Sequence, residues 1–248
     1  MKRIIFSIFL LHSFVFAEVV NVAVAANVSY AIDTLIEQFH KEHPDTKVQV
    51  TLGSSGKLTA QIKHHAPYDV FMSANMSYPE ALYKEGLTLS KPHIYAQGSL
   101  VLFSVKKRDF SQDASIIRTK AIRRVAMANP KTAPYGKATQ EFLDNTKLYN
   151  TIKGKLIFGE SIGQTISYSI TAADMGFIAA SALHSPKMAQ FHKGENFIEL
   201  DSTLYTPISQ GIVLLKNATN NKGAQLFYEF ILSTQAKEIF RAYGYSVQ

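Results

Sequence analysis

The sequence contains no cysteine and no tryptophan, and charged residues make up only 18% of its 248 positions. The absence of cysteine excludes a disulfide scaffold, thiol catalysis, zinc ribbons and iron–sulfur clusters, as well as a lipid anchor on an N-terminal cysteine. The eight histidines lack the His-Glu-x-x-His spacing of a zinc helix, so we expect no metal-cation site. The hydrophobic fraction of 46% is nevertheless typical of a globular core, which excludes a largely disordered chain.

Long hydrophobic runs are also missing, except at the N-terminus. A basic start and an apolar run over residues 4–16 are followed by the small residue Ala17. This pattern is typical of a secretory signal peptide over residues 1–17, cleaved after Ala17. The run is shorter than the roughly 20 apolar residues that a transmembrane helix needs. We therefore expect residues 18–248 to be exported as a soluble protein that is not a lipoprotein.

The net charge is +7, but the basic residues are scattered along the chain. The densest groups are Lys106-Lys107-Arg108 and the stretch 118–124, which we interpret as solvated surface. No segment combines basic and aromatic residues in the pattern of a nucleic-acid interface. An exported protein with this charge distribution is expected to have no nucleic-acid partner.

Short apolar runs alternate with longer amphipathic ones, which predicts an α/β fold. The first part of the chain has the order β-α-β-α-β, with strands at 19–26, 47–52 and 69–73 and helices at 30–43, 55–65 and 79–85. This order predicts a parallel sheet with helices on its faces. A second series begins near residue 99, with strands at 99–105, 124–128, 155–158, 175–180, 197–200 and 212–215 and helices at 134–148, 162–173 and 223–243. We therefore expect two similar α/β units, joined by extended stretches at 95–99 and 205–209.

Small polar residues occupy four predicted turns between a strand and the next helix, at 25–29, 53–58, 129–136 and 159–163. In a parallel α/β sheet, such turns lie at the carboxyl ends of the strands, where ligands bind. The first N–H groups of a helix are unpaired and carry partial positive charge, so several helix starts around one point form an anion site. Each turn alone is better explained by an ordinary helix cap. Two turns from each unit facing one cleft indicate a binding site.

One of these turns also matches a catalytic motif. Residues 159–163 read Gly-Glu-Ser-Ile-Gly, the G-x-S-x-G pattern of a nucleophile elbow between a strand and a helix. Asp174 with His184 or His192 would complete a triad in the correct order, but these residues follow Ser161 too closely for a hydrolase sheet. We expect Ser161 to cap a helix, and a secreted serine hydrolase using Ser161 is the alternative from a different functional class.

Several longer segments carry a more specific pattern. The serine-rich turn at 53–58 is followed by Gln-Ile at 61–62 and by Ala-Pro-Tyr-Asp-Val-Phe-Met-Ser-Ala at 66–74. Further segments are Val-Ala-Val-Ala-Ala-Asn at 22–27, Asn-Pro with Pro-Tyr-Gly within 129–136, and Gln-Ala, Ile-Phe and Tyr-Gly-Tyr within 235–245. Through these segments, which extend over essentially the whole exported chain, the sequence resembles the periplasmic molybdate-binding proteins of ABC transporters.

The resemblance implies a two-lobed type II periplasmic-binding-protein fold, in which each lobe has a mixed, mostly parallel sheet flanked by helices and a two-segment hinge joins the lobes. Lobe I would comprise residues 18–96 and 206–248, and lobe II residues 97–205. The resemblance further implies a monomeric periplasmic carrier without enzymatic activity or cofactor. It would capture molybdate or tungstate and deliver the ion to an inner-membrane ABC permease driven by a cytoplasmic ATPase.

The resemblance also implies four residues that bind the oxyanion through its oxo groups. These are Asn27 and Ser55 in one lobe, and Tyr135 and Ile162 in the other, with Ile162 donating its backbone N–H. Some members use a tyrosine where this chain has Ala179, and Tyr135 supplies the phenol in its place. A site made of donors suits a fully deprotonated oxyanion, whereas the hydroxyl of hydrogen phosphate needs an acceptor. Sulfate has the charge and shape of molybdate, so another tetrahedral oxyanion is the alternative ligand.

Overall fold

The computed structural model describes residues 18–247, so the predicted signal peptide at 1–17 lies outside the described residues. The first part of the chain contains β1 (Glu18–Ala25), α1 (Ile32–Glu42), β2 (Thr46–Gly53), α2 (Ser55–Lys63), β3 (Val70–Met72), α3 (Ser77–Lys84) and β4 (His93–Gly98). The middle contains β5 (Leu100–Phe103), β6 (Val125–Ala128), α4 (Pro134–Asn145), α5 (Tyr149–Ile152), β7 (Leu156–Gly159), α6 (Ile162–Thr171), β8 (Met175–Ala179) and β9 (Phe197–Glu199). The last part contains β10 (Ile208–Leu214), α7 (Lys222–Ile231) and α8 (Thr234–Ala242).

The strands form two five-stranded sheets of the same design, in the orders β2-β1-β3-β10-β4 and β7-β6-β8-β5-β9. In each sheet, three neighbouring strands pair in parallel, and the next two pairings are antiparallel. Four of the five strands therefore run in one direction, and the reversed strand is β10 in the first sheet and β5 in the second. The predicted fold class is confirmed. We call the two sheets with their helices the first unit and the second unit.

The chain crosses between the units twice, at neighbouring positions. It passes from the first sheet to the second at Ser99, between β4 and β5, and returns through residues 200–207. The two crossings are held together because β10 pairs with β4 and because the Leu100 N–H donates to the Tyr205 hydroxyl oxygen at 3.2 Å. Two paired segments at one place give the connection the form of a hinge.

Helices bury their apolar faces against the sheets. Helix α1 directs Ile32, Leu35 and Phe39 into the core, which is the spacing of one helix face. The Phe39 ring meets Phe227 of α7 edge to face, with ring centroids 5.2 Å apart. Strand β6 is buried along its whole length, as its uninterrupted apolar sequence predicts for a strand covered on both faces. Within residues 18–247, no helix is both long enough and apolar enough to span a membrane.

The predicted C-terminal helix over 223–243 is wrong in one respect, because the structure has two helices there. Ser233 lies between α7 and α8, and its Oγ accepts a hydrogen bond from the Ala236 N–H at 3.2 Å. That bond caps the start of α8 and replaces a continuous helical ladder. The break lets α8 pack against α1 and β4.

Candidate functional site

The four polar turns predicted from the sequence meet between the two units. Asn27, Ser55, Tyr135 and Ile162 all line one cavity of about 10 Å³, and none of the four is more than 4% exposed. The other described residues that line it are uncharged: Ala25, Ala26, Gly53, Ser54, Ala74, Ala133 and Pro134. The structure therefore brings the four predicted residues to a single point.

Three helices begin at this cavity. Ser55 and Ile162 are the first residues of α2 and α6, and Tyr135 is the second residue of α4. Their backbone N–H groups form no hydrogen bond with another described residue, as the first turn of a helix requires. Ser54 and Ser161 cap α2 and α6 through their side chains. The helix starts thus place free donors and partial positive charge around the cavity.

The Ser55 hydroxyl is oriented by a neighbouring turn of the first unit. Its Oγ accepts a hydrogen bond from the Ala74 N–H at 2.9 Å. Because this bond uses a lone pair of the oxygen, the hydroxyl proton is free to donate elsewhere. Ser55 therefore offers the cavity two donors, its hydroxyl and its backbone N–H.

Asn27 belongs to a buried network of hydrogen bonds. Its Nδ2 donates to Gln210 Oε1 at 2.8 Å and to Tyr245 Oη at 3.0 Å, and the Tyr245 hydroxyl donates to the Asn27 carbonyl oxygen at 2.8 Å. Gln210 Oε1 also accepts from the Tyr95 hydroxyl at 2.7 Å, while Gln210 Nε2 donates to Tyr135 Oη at 3.4 Å. Asn27 Oδ1 is buried and has no partner among the described residues. The network connects a predicted ligand of the first unit with one of the second.

The tyrosines of this network keep their protons at neutral pH. Burial raises the pKa of Tyr245 to about 12. Burial, reinforced by neighbouring tyrosines, also raises the pKa values of Tyr95 and Tyr135 well above the ordinary value of 10. Every hydroxyl in the network is therefore neutral and able to donate one hydrogen bond.

The two units are in direct contact beside the cavity. Two hydrogen bonds join the units: the Gly56 N–H donates to the Thr132 carbonyl oxygen at 2.9 Å, and the Ser181 hydroxyl donates to the Asn27 carbonyl oxygen at 3.1 Å. An ion pair joins Lys57 Nζ and Glu160 Oε1 at 3.5 Å. Both hydrogen bonds involve backbone atoms of the predicted binding turns. The arrangement is therefore a closed one, in which the binding turns of one unit touch those of the other.

Ser161 lacks the partners of a catalytic serine. Its Oγ accepts a hydrogen bond from the Gln164 N–H at 3.3 Å, which is a helix cap as predicted. Asp174 precedes β8 and accepts from the backbone N–H groups of Arg123 and Arg124. It therefore lies at the amino edge of the second sheet, whereas Ser161 follows β7 at the carboxyl edge. The serine-hydrolase alternative is wrong for this reason.

The sequence analysis missed three residues of the network, Tyr95, Gln210 and Tyr245. Gln210 is fully buried in β10, between Ile208 and Ile212. A polar residue at a buried position of an apolar strand is a signal that could have found it. Tyr245 lies in the tail after α8, and no local pattern reveals that this tail returns to the first binding turn.

Comparison with known proteins identifies the family. Residues 20–246 match the family model described as bacterial extracellular solute-binding protein. The chain belongs to this family. This is a family of solute-binding proteins and not of enzymes. Within residues 18–247 of this solute-binding protein, no group of three or more histidine, aspartate or glutamate side chains could hold a metal ion.

Relatives of this solute-binding protein include two molybdate-binding proteins named ModA. The chain is 35% identical to ModA of Azotobacter vinelandii over 231 residues, which cover 92% of the chain and 90% of the relative. It is 33% identical to ModA of Rhodobacter capsulatus over 225 residues, covering 90% and 86%. These identities extend over nearly the whole of both chains.

Solved structures share the fold. The periplasmic molybdate-binding protein of Azotobacter vinelandii matches with a TM-score of 0.85 at 30% identity, covering 92% of this chain and 99% of that one. The sulfate-binding protein SubI of Mycobacterium tuberculosis matches with a TM-score of 0.74 at 14% identity, covering 92% and 86%. The second likeness is one of fold alone.

Proposed function

We propose that this solute-binding protein captures molybdate or tungstate between its two units and delivers the ion to an ABC permease. The observation that carries the proposal is the convergence of four turns on one buried cavity lined by uncharged residues, with free N–H groups at the three helix starts among them. Both ModA relatives described above, each more than 30% identical to this chain, are named as molybdate-binding proteins. Sulfate is the second candidate ligand, because it has the same charge and tetrahedral shape as molybdate.

The anion is held, in this proposal, by hydrogen bonds from Asn27, Ser55, Tyr135 and Ile162. Each bond to a charged acceptor contributes roughly 1.5–3 kcal/mol. Several such bonds from groups fixed at helix starts offset the cost of removing a dianion from water. Molybdate and tungstate have the same charge and nearly the same size, so both ions satisfy the same donors.

Entry of the anion requires the two units to separate, because all four proposed ligands are buried. We assign residues 18–96 and 206–248 to lobe I and residues 97–205 to lobe II, which rotate about the paired crossings. Asn27 and Ser55 lie in lobe I, while Tyr135 and Ile162 lie in lobe II. An anion bound by all four contacts both lobes and therefore stabilises the closed arrangement.

The proposal also covers export and transport. Residues 1–17 act as a signal peptide, and the rest of the chain is a soluble, monomeric periplasmic protein without a lipid anchor or cofactor. Its membrane partner is an inner-membrane permease driven by a cytoplasmic ATPase. Membership of an extracellular solute-binding family supports this placement.

Isothermal titration calorimetry on residues 18–248, purified free of bound anion, tests the proposal. Molybdate, tungstate, sulfate and phosphate are injected separately. We expect tight one-to-one binding of the first two and no heat of binding from the others. If sulfate binds as tightly as molybdate, the assigned ligand is wrong. If none of the four anions gives a heat of binding, the oxyanion site is refuted.

A further inference from the structure

Gln210 lies at the centre of the buried network but does not line the cavity. Its amide is within hydrogen-bond distance of Asn27, Tyr95 and Tyr135. It is fully buried in β10, the strand that follows the second crossing between the units. Gln210 is therefore placed to influence a ligand residue of each unit without touching the ligand.

The hydrogen bonds of Asn27 leave its amide oxygen without a partner, whereas an oxyanion needs the amide nitrogen as a donor. Both amide hydrogens are used, one by Gln210 Oε1 and one by Tyr245 Oη. The buried atom without a partner is Oδ1, an acceptor. An acceptor repels the oxygen atoms of an oxyanion, which themselves only accept. In this arrangement the Asn27 side chain has no amide hydrogen left to donate to the anion.

A second arrangement of the same side chains removes this conflict. A half-turn of an amide exchanges its oxygen and nitrogen without moving any carbon atom. Asn27 and Gln210 must turn together, because turning one alone would set two oxygens or two nitrogens against each other across 2.8 Å. Their coupling follows from this single contact.

The turned arrangement satisfies every other member of the network. Gln210 Nε2 donates to Asn27 Oδ1 and to Tyr95 Oη. The Tyr95 hydroxyl then donates to the Ser73 carbonyl oxygen, which lies 3.3 Å away. The Tyr135 hydroxyl donates to Gln210 Oε1 across the 3.4 Å contact.

Tyr245 must redirect its hydroxyl, because Asn27 Oδ1 now occupies the place of Nδ2 at the 3.0 Å contact. The Tyr245 hydroxyl donates to Oδ1, and the Asn27 carbonyl oxygen keeps its hydrogen bond from the Ser181 hydroxyl. The one group left without a partner is Asn27 Nδ2, which is a donor.

We propose that Gln210 is a positioning residue that turns Asn27 into a donor for the bound oxyanion. The two amides turn as a pair when the anion enters, and Gln210 then holds Asn27 Oδ1 so that Nδ2 bonds to the anion. The Tyr135 hydroxyl donates its hydrogen bond to Gln210, so Tyr135 binds the anion through its backbone N–H and not through the phenol that the family resemblance implies. This inference rests on the proposed function, since it concerns the same site.

A double-mutant cycle between Gln210 and Asn27 tests the proposal. Gln210→Met keeps the length of the side chain and removes its hydrogen bonds. We expect it to weaken molybdate binding by about tenfold in calorimetry, the size of one lost bond to a charged acceptor. Gln210 acts through Asn27, so its loss should have no further effect once Asn27 is replaced. The molybdate affinity of the double variant should therefore lie within about twofold of that of Asn27→Ala alone.

A matched control separates positioning from folding. Asn196 is a buried amide of the second unit whose Nδ2 donates to the carbonyl oxygens of Ser104 and Val105, both at 3.2 Å. Asn196→Leu should lower the thermal unfolding temperature and leave molybdate affinity unchanged. The thermal unfolding temperature of each variant is also measured without anion. A variant that has lost stability in general is then recognised by its lower unfolding temperature.

The outcomes distinguish this inference from the function on which it rests. The positioning role would be overturned if Gln210→Met bound molybdate as tightly as the wild type. It would also be overturned if the double variant lost as much binding free energy as the two single variants together. Either result would leave the oxyanion site intact. A wild-type protein that binds no oxyanion would overturn both. If Gln210→Met does not fold, Gln210→Leu replaces it.

A measurement on the wild-type protein gives an independent readout. The side-chain amide signal of Gln210, assigned through its backbone in ¹⁵N-labelled protein, should shift when molybdate is added. An unchanged signal would overturn the coupled turn of the two amides.

Discussion

Gly56 donates its backbone N–H to the carbonyl oxygen of Thr132 at 2.9 Å, joining the serine-rich turn of the first unit to the third binding turn. A Cβ atom at residue 56 would lie 2.9 Å from that carbonyl oxygen and 2.8 Å from the Tyr78 hydroxyl. The two turns therefore approach each other this closely because residue 56 has no side chain. The contact lies next to Ser55, so closure of the units and formation of the anion site are linked.

We predict that Gly56→Ala weakens molybdate binding by about tenfold. The added methyl group meets the Tyr78 hydroxyl within the first unit and the Thr132 backbone of the second. Only the contact with Thr132 depends on closure, and it costs the closed arrangement the roughly 1–3 kcal/mol that is typical of overpacking. Calorimetry measures the affinity. Gly154→Ala is the control, because no heavy atom lies within 4 Å of its new Cβ, and it should bind as wild type. Unchanged affinity in Gly56→Ala would contradict the link between this contact and closure.

Ser55→Ala is expected to weaken molybdate binding by about 10- to 100-fold. The substitution removes a hydroxyl donor to the anion, a loss of roughly 1.5–3 kcal/mol. It also leaves the Ala74 N–H without its acceptor, so thermal unfolding is measured in parallel. Ser233→Ala, which removes the cap of α8 far from the cavity, should lower stability without changing affinity. If Ser55→Ala retains wild-type affinity, Ser55 is not a ligand.

Ser161→Ala should cost stability and leave reactivity towards serine-directed probes unaffected. Loss of the α6 cap is expected to lower the free energy of unfolding by about 1 kcal/mol, measured by urea unfolding without anion. Since Ser161 contacts neither a histidine nor a carboxylate in its described hydrogen bonds, a fluorophosphonate probe should label neither the wild type nor the variant. Labelling of wild-type Ser161 alone would revive the hydrolase alternative.

Most of the fold could be predicted because apolar periodicity reflects burial directly. The buried strands β1 and β6 and the amphipathic helix α1 stand out in the sequence for this reason. Strand β4 was predicted only as part of a crossing, since its pattern includes the polar Gln97 and ends at Gly98. Its identity as a strand comes from pairing with β10, a contact between residues more than a hundred positions apart.

The site could be predicted as far as local sequence determines it. Helix caps and strand ends are local features, and they identified the turns that carry Asn27, Ser55, Tyr135 and Ile162. The partners of Asn27 are not local, because Gln210 and Tyr245 are brought to it by the return of the chain from the second unit. Which atoms of a ligand residue face the anion depends on such partners, and the sequence alone does not contain that information.

Alkaline pH should destabilise the protein through its buried tyrosines. Burial raises the pKa of Tyr245 to about 12 and raises those of Tyr95 and Tyr135 well above 10. In the unfolded chain these hydroxyls ionise near pH 10, so above that pH the unfolded state binds fewer protons than the folded state. Stability is therefore complete below pH 10 and is lost as the pH rises from 10 towards 12, by up to about 1.4 kcal/mol per pH unit for each group.

Urea unfolding in steps between pH 8 and pH 11.5 measures this loss. We expect a flat free energy of unfolding up to about pH 9.5 and a steep decline above it. Tyr245→Phe removes one of the responsible groups and should make the decline shallower, whereas Tyr83→Phe, which removes an exposed hydroxyl, should keep the wild-type slope. A decline of equal slope in all three proteins would show that the hydroxyl of Tyr245 does not contribute, and the burial argument for this network would fail with it.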